Sequence, residues 1–172
     1  LMRRFFHFLM FLFISTAALV STVHAQLRVD ISGTGAQQYP IAVADFTGDP
    51  SGRLIAEVIR ADLTRSGQFR LINATGTELN ADSTIAFDEW RTLGADYVAY
   101  GSVSKTADDR FEVRYRLADT TSQTNLDGAA YTGSDRELRR IAHQIADRIY
   151  EQITGVPGVF STRIAYVFKQ GN

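Results

Sequence analysis

The 172-residue sequence sets 18 Lys and Arg against 19 Asp and Glu, so it has no basic excess with which to hold nucleic acid. It contains no cysteine, which excludes disulfides, thiolate nucleophiles and sulfur-ligated metals. Only His143 of its three histidines lies beyond residue 25, too few for a histidine-based metal cluster.

At the amino end, Arg3 and Arg4 precede an apolar run from Phe5 to Val20, interrupted by His7, Ser15 and Thr16. Val23-His24-Ala25 follows. Basic end, apolar middle and small residues at a cut site are the order of a secretory signal peptide. A spanning helix normally needs about 20 predominantly apolar residues, and here the small-residue site comes where its polar flank would begin. Residues 1–25 are therefore expected to be removed between Ala25 and Gln26, releasing the chain outside the cytoplasm. No cysteine follows Ala25, so no lipidated cysteine begins the mature chain. Residues 1–25 hold two basic residues and no acidic one, so the remainder carries 16 basic against 19 acidic side chains. Its length suits one domain, since a chain of about 150 residues buries close to 70% of its unfolded surface.

Leu27-Arg28-Val29-Asp30-Ile31 alternates apolar and charged residues before Ser32-Gly33-Thr34-Gly35, a short amphipathic strand followed by a joint. The pattern fits an arm that adds itself to another protein's sheet edge, and equally a first strand of the chain's own sheet. Ile41 to Phe46 is nearly continuous in apolar residues, as expected for a strand in mid-sheet. Asp49 and Pro50 predict a helix start, with helix to about Ser66, Gly67 as its stop and strand again over Phe69–Ile72. Residues 73–84 read as polar and irregular. Phe87, Trp90 and Leu93 fall on one side of a short helix closed by Gly94.

Tyr97–Val103 predicts a strand. Lys105–Arg110 is a polar tip, and Phe111, Val113, Tyr115 and Leu117 alternate with charged residues as in a hairpin with one wet face. Leu126–Thr132 is a further strand. Leu138, Ile141, Ala142, Ile145, Ala146, Ile149 and Ile153 mark a helix over about Ser134–Thr154, with Gly155 and Pro157 beyond it. Phe160–Phe168 reads as strand again, without a partner in view, which suggests the opening of a second domain and a chain that is a fragment. Hairpin and crossover connections with intervening helices predict an α/β or α+β fold with a mixed sheet packed by helices.

Few residues point to chemistry. Gly33-Thr34-Gly35 has Gln38 where a dinucleotide loop needs glycine, and reads as a hinge. Asp108-Asp109 has the chemistry of a hairpin turn. Asn73-Ala74-Thr75 matches a glycosylation acceptor by chance. His143 lies on the flank of the last helix with Asp147 one turn on, and an envelope hydrolase would have to be built on it. Asp62 projects into the apolar arc of Leu54, Ile55, Val58 and Ile59, so it needs partners, either backbone N–H groups or an arginine. The alternative is a partner-facing carboxylate.

Ile41–Phe46, Ile59-Arg-Ala-Asp-Leu-Thr-Arg-Ser-Gly-Gln-Phe69, Trp90-Arg-Thr-Leu-Gly-Ala-Asp96 and Thr154-Gly-Val-Pro-Gly-Val-Phe-Ser-Thr-Arg-Ile-Ala-Tyr166 resemble the TolB family of the Tol-Pal system. The middle motifs are shared more loosely with curli-secretion and peptidoglycan-synthase activator lipoproteins, which leaves a free-standing periplasmic binding domain as the alternative. The TolB resemblance implies a signal peptide at 1–25, a partner-binding arm and hinge at 26–35, an amino-terminal α/β domain at 36–156, and a linker with the start of a truncated β-propeller at 157–172. It further implies a non-catalytic periplasmic adaptor without cofactor, small-molecule substrate or nucleic acid, associated with membranes only through partners. Those partners are the TolA carboxy-terminal domain, bound through Gln26, Leu27, Arg28, Val29, Asp30 and Ile31, and Pal, bound through the missing propeller.

Overall fold

The computed structural model describes residues 38–162. Its elements run β1 (Tyr39–Val43), β2 (Asp45–Gly48), α1 (Ser51–Arg65), β3 (Phe69–Ile72), β4 (Glu78–Leu79), α2 (Phe87–Thr92), β5 (Tyr97–Lys105), β6 (Phe111–Asp119), β7 (Thr124–Gly133), a 3-10 turn (Asp135–Glu137) and α3 (Leu138–Thr154).

The sheet is mixed, as expected, and β5 is its axis. On one side β5 pairs antiparallel with β6 from Tyr97↔Asp119 to Lys105↔Phe111, and β6 pairs antiparallel with β7. On its other side β5 pairs parallel with β1 near its start and with β2 near its end. β3 lies parallel beside β1, and β4 parallel beside β2.

The strand expected over Ile41–Phe46 is thus two. Ile41 faces Tyr97 and Thr47 faces Ser102, six steps along the β1–β2 side against five along β5. That extra residue breaks the ladder at Ala44, which still donates its N–H to the Ala99 carbonyl at 2.9 Å. β4 lies inside the stretch expected to be irregular. Only two residues long, it exists because β2 offers it an edge, a long-range cause without a local pattern.

One face of the sheet is covered by both long helices. Ile55, Val58, Ile59 and Leu63 of α1 and Leu138, Ile141, Ile145 and Ile149 of α3 close over Ile41, Val43, Phe46, Phe69, Val113, Tyr115 and Leu117. Each such side chain contributes about 1.5–3 kcal/mol by leaving water, which makes this layer the main source of stability. The opposite face has a smaller core of Ala42, Ala44, Val98, Tyr100 and Ala118 beneath Ile85 and Trp90. Leu93, expected on the buried side of α2, is 60% exposed because the helix has ended by Thr92 and the chain is already turning at Gly94.

The helix ends follow the expected punctuation. Asp49 Oδ1 accepts the Ser51 N–H at 2.9 Å and the Ser51 hydroxyl at 2.7 Å. Gly67 and Gly155 take left-handed conformations, φ 71° and 74°, just past α1 and α3. Glu137 Oε2 accepts the Ser134 N–H at 2.9 Å, and the Glu137 N–H donates to the Ser134 carbonyl at 2.9 Å, so the last helix begins with one 3-10 turn before Leu138.

Candidate functional site

The expected partner-binding residues Gln26, Leu27, Arg28, Val29, Asp30 and Ile31, the Ala25/Gln26 cut and the Gly33–Gly35 hinge all lie outside the described residues. What the structure defines is the place where they join. Gln38 donates from Nε2 to the Gly67 carbonyl at 3.1 Å, and the Tyr39 N–H donates to the Gln68 carbonyl at 2.9 Å. Tyr39 opens a row of aromatic rings. Its centroid is 6.3 Å from Tyr97 and 5.9 Å from Phe69, Phe69 is 5.9 Å from Tyr150, and Tyr150 is 5.7 Å edge-on from Phe160. Such pairs add about 0.5–1.5 kcal/mol each beyond their burial, so this end of the domain is firmly tied.

Phe160 was expected to open a strand. Instead Phe160 and Ser161 form a turn against α3, their N–H groups donating to Asp147 Oδ1 and Oδ2 at 2.6 and 3.0 Å; residues 163–168 lie outside the described residues. Beside this turn is a largely apolar cleft of about 460 Å³ lined by Arg65, Ser66, Tyr150, Val156, Pro157 and Phe160 among others.

Asp147 is therefore not the acid beside His143. That acid is Asp62, 2% exposed, whose Oδ2 lies 2.5 Å from His143 Nδ1 and whose Oδ1 accepts Arg65 Nη1 at 2.8 Å. Because a carboxylate only accepts, the imidazole proton sits on Nδ1. Asp62 is an anchor between α1 and α3, held by an arginine and a histidine. Arg65 is 70% exposed and adds little, whereas the inter-helix bond is largely shielded from water. Replacing Asp62 by Ala should cost about 2 kcal/mol, the range for a hydrogen bond to a charged group. A thermal melt should place the midpoint about 8 °C below the parent. An unchanged midpoint would remove the anchor role.

Two other carboxylates, the buried Asp45 and the half-buried Asp127, are paired. Asp45 Oδ1 accepts Arg60 Nη2 at 2.6 Å and Oδ2 accepts the Gly76 N–H at 3.1 Å. Burial pushes its carboxyl up, but Arg60, the Gly76 N–H and the more distant Arg53 together hold it below the usual range. Asp127 is bonded by Tyr115 Oη and by Arg148 at 2.9 and 2.6 Å. Burial again raises this carboxyl, and Arg148, Tyr115 and the Gly128 N–H outweigh it. Burial and the neighbouring Asp127 push the Tyr115 phenol well above its ordinary value.

A bulge aims Asp127. Leu117 faces Asp127 but Ala118 faces Asn125, so Leu126 is the extra residue that turns Asp127 toward Tyr115 and the helices. Asp108 and Asp109 sit in the β5–β6 turn, where Asp109 has φ 63° and pairs with Lys105 at 2.6 Å. Among the described residues no group of three or more His, Asp or Glu is placed to hold a metal ion, and no helix is long and apolar enough to cross a membrane.

Sequence reasoning missed Asp147, Tyr39 and Phe160 as the residues that fix the two ends of the domain. The available signal was Pro157-Gly158 just past a helix that carries an acid on its flank.

The family model of the TolB amino-terminal domain matches residues 27–126. The Tol-Pal system protein TolB of Bordetella avium is 70% identical over 162 residues, which is 94% of this chain and 37% of that protein. Its counterpart in Dechloromonas aromatica is 44% identical over 153 residues, 88% of this chain and 36% of that one. The crystal structure of TolB from Acinetobacter baumannii is 32% identical with a TM-score of 0.61, covering 73% of this chain and 31% of that one. The chain thus spans little more than a third of the length of the curated relatives it matches.

Proposed function

The chain belongs to the TolB amino-terminal domain family of the Tol-Pal system, and from that premise we propose that it is the arm-bearing domain of a non-catalytic periplasmic adaptor. In this reading residues 1–25 direct export, and cleavage after Ala25 creates a free end at Gln26. Gln26, Leu27, Arg28, Val29, Asp30 and Ile31 then add as a strand to the TolA carboxy-terminal domain, and residues 36–156 are the body that carries them. Main-chain hydrogen bonds would supply affinity, and the alternate apolar side chains Leu27, Val29 and Ile31 would supply register. Pal would be engaged by a β-propeller beyond this chain, so that the whole protein links the inner-membrane Tol complex to the outer membrane in envelope integrity and constriction at division.

The match to the family model from residue 27 onward carries this reading, because it brings the alternating segment itself within the family's domain. A pull-down or calorimetric titration tests it, using the chain from Gln26 with and without residues 26–33 against the TolA carboxy-terminal domain of the same organism. The expected outcome is loss of binding on deletion with an unchanged melting midpoint. Equal binding by both forms rejects the arm.

A further inference from the structure

The chain does not simply run off the end of α3. Thr154 Oγ1 accepts the Val156 N–H at 3.2 Å, Pro157 sets a fixed φ, and residues 158–161 turn back along the helix. The successive N–H groups of Phe160 and Ser161 then converge on the two oxygens of one carboxylate, Asp147. Adjacent N–H groups pointing at one anion form a small concave nest, and hydrogen bonds to an ionised acceptor are about twice as strong as neutral ones. Phe160 also sets its ring edge-on against Tyr150 at 5.7 Å.

Gly158 makes the return possible. A Cβ there would lie 2.5 Å from both the Asp147 Cα and its Oδ1, so any side chain would push the strand of backbone off the helix. Asp147 makes no other hydrogen bond among the described residues. Val156 and Val159 meanwhile remain 55% and 66% exposed, so burial of their side chains does not hold the segment down.

We propose that residues 156–161 are a fixed mount rather than a free hinge, with Asp147 as its lock and Gly158 as its clearance, so that the polypeptide leaves the domain in one set direction. The inference rests on the geometry of this segment and not on the proposed partners. It predicts that orientation past residue 161 is lost when the lock is removed, while the domain itself stays folded.

The absence of cysteine allows a direct measurement, since spin labels placed through Leu93→Cys and Thr162→Cys are the only ones the chain can take. Pulsed electron resonance should give one narrow distance for the otherwise unaltered chain. Asp147→Ala and, separately, Gly158→Val should each spread it into a broad distribution, and amide exchange should show lost protection at Phe160 and Ser161 with protection within α3 retained. Gly158→Val leaves the carboxylate in place, so its agreement with Asp147→Ala separates loss of the mount from loss of a charge. A broad distribution in the labelled but otherwise unaltered chain, or a narrow one after Asp147→Ala with α3 still protected, overturns the proposal.

Discussion

Replacing Arg60 by Met should destabilise the domain more than removal of any other single charge, by about 3–5 kcal/mol, the cost of leaving one partner of a buried ion pair unmatched. For a domain of this size that is a fall of about 10–20 °C in the midpoint of a thermal melt. The reason lies at the break between β1 and β2. Val43 O accepts Arg60 Nε at 3.0 Å and Nη2 at 2.6 Å, and the same Nη2 reaches Asp45 Oδ1. One guanidinium therefore satisfies a carbonyl at the interrupted strand and a carboxylate whose side chain is 4% exposed. With Met in its place, Asp45 keeps the Gly76 N–H and an Arg53 guanidinium 3.9 Å away that is itself mostly in water. Adding Asp45→Asn to Arg60→Met should recover a large part of the loss, since the stranded charge is then gone. A double variant no more stable than Arg60→Met would show that the charge is not what costs.

Acid should narrow the difference between Arg60→Met and the parent. The folded-state pKa of Asp45 is lowered, so its contribution to stability is complete above the unfolded carboxylate value of about 4 and is lost as pH falls below it toward the folded value. Asp127 behaves in the same way. In Arg60→Met the strongest group holding the Asp45 carboxyl down is gone while burial still raises it. That variant gains from protonation where the parent loses. The two melting midpoints should approach one another between pH 7 and pH 3.5.

How much of this was legible in the sequence depends on the distance over which each feature is made. The stops at Gly67 and Gly155, the Asp49 cap, the stripe of α3 and the β5–β6 hairpin are local, and the residues that make them are neighbours in the chain. The mixed α/β architecture followed from their order. Asp62 was also readable as a carboxylate in need of a partner, because its place in an apolar arc is a helical-wheel fact. Its partner was not. Helical spacing sets Asp147 one turn from His143, but the fold brings Asp62 to His143 from 81 residues away and sends Asp147 to the linker instead. Arg60 looks like an ordinary half-exposed helix arginine until β1 and β2 are seen to separate beneath it. β4 and the Leu126 bulge share that dependence on pairing with strands distant in sequence, which no local pattern encodes.

Gly101 carries the other large expectation, because it sits in the central strand with no room for a methyl group. A Cβ there would fall 2.2 Å from the Arg114 carbonyl oxygen of β6 and 2.6 Å from the ring of Phe46. Overpacking usually costs about 1–3 kcal/mol, and the nearest atom here is hydrogen-bonded backbone that cannot rotate away, so Gly101→Ala should cost about 3 kcal/mol. Gly67 provides the contrast. It has φ 71° but nothing within 4 Å, so Gly67→Ala should cost only the left-handed backbone term of about 1–2 kcal/mol. Urea titration at constant m-value reads both. Combining Gly101→Ala with Phe46→Leu relieves the ring but not the carbonyl, and should restore only part of the loss. Full restoration would place the strain in the Phe46 ring rather than in the approach of β5 to β6, and a Gly101→Ala midpoint above that of Gly67→Ala would mean that neither approach is as tight as the backbone positions require.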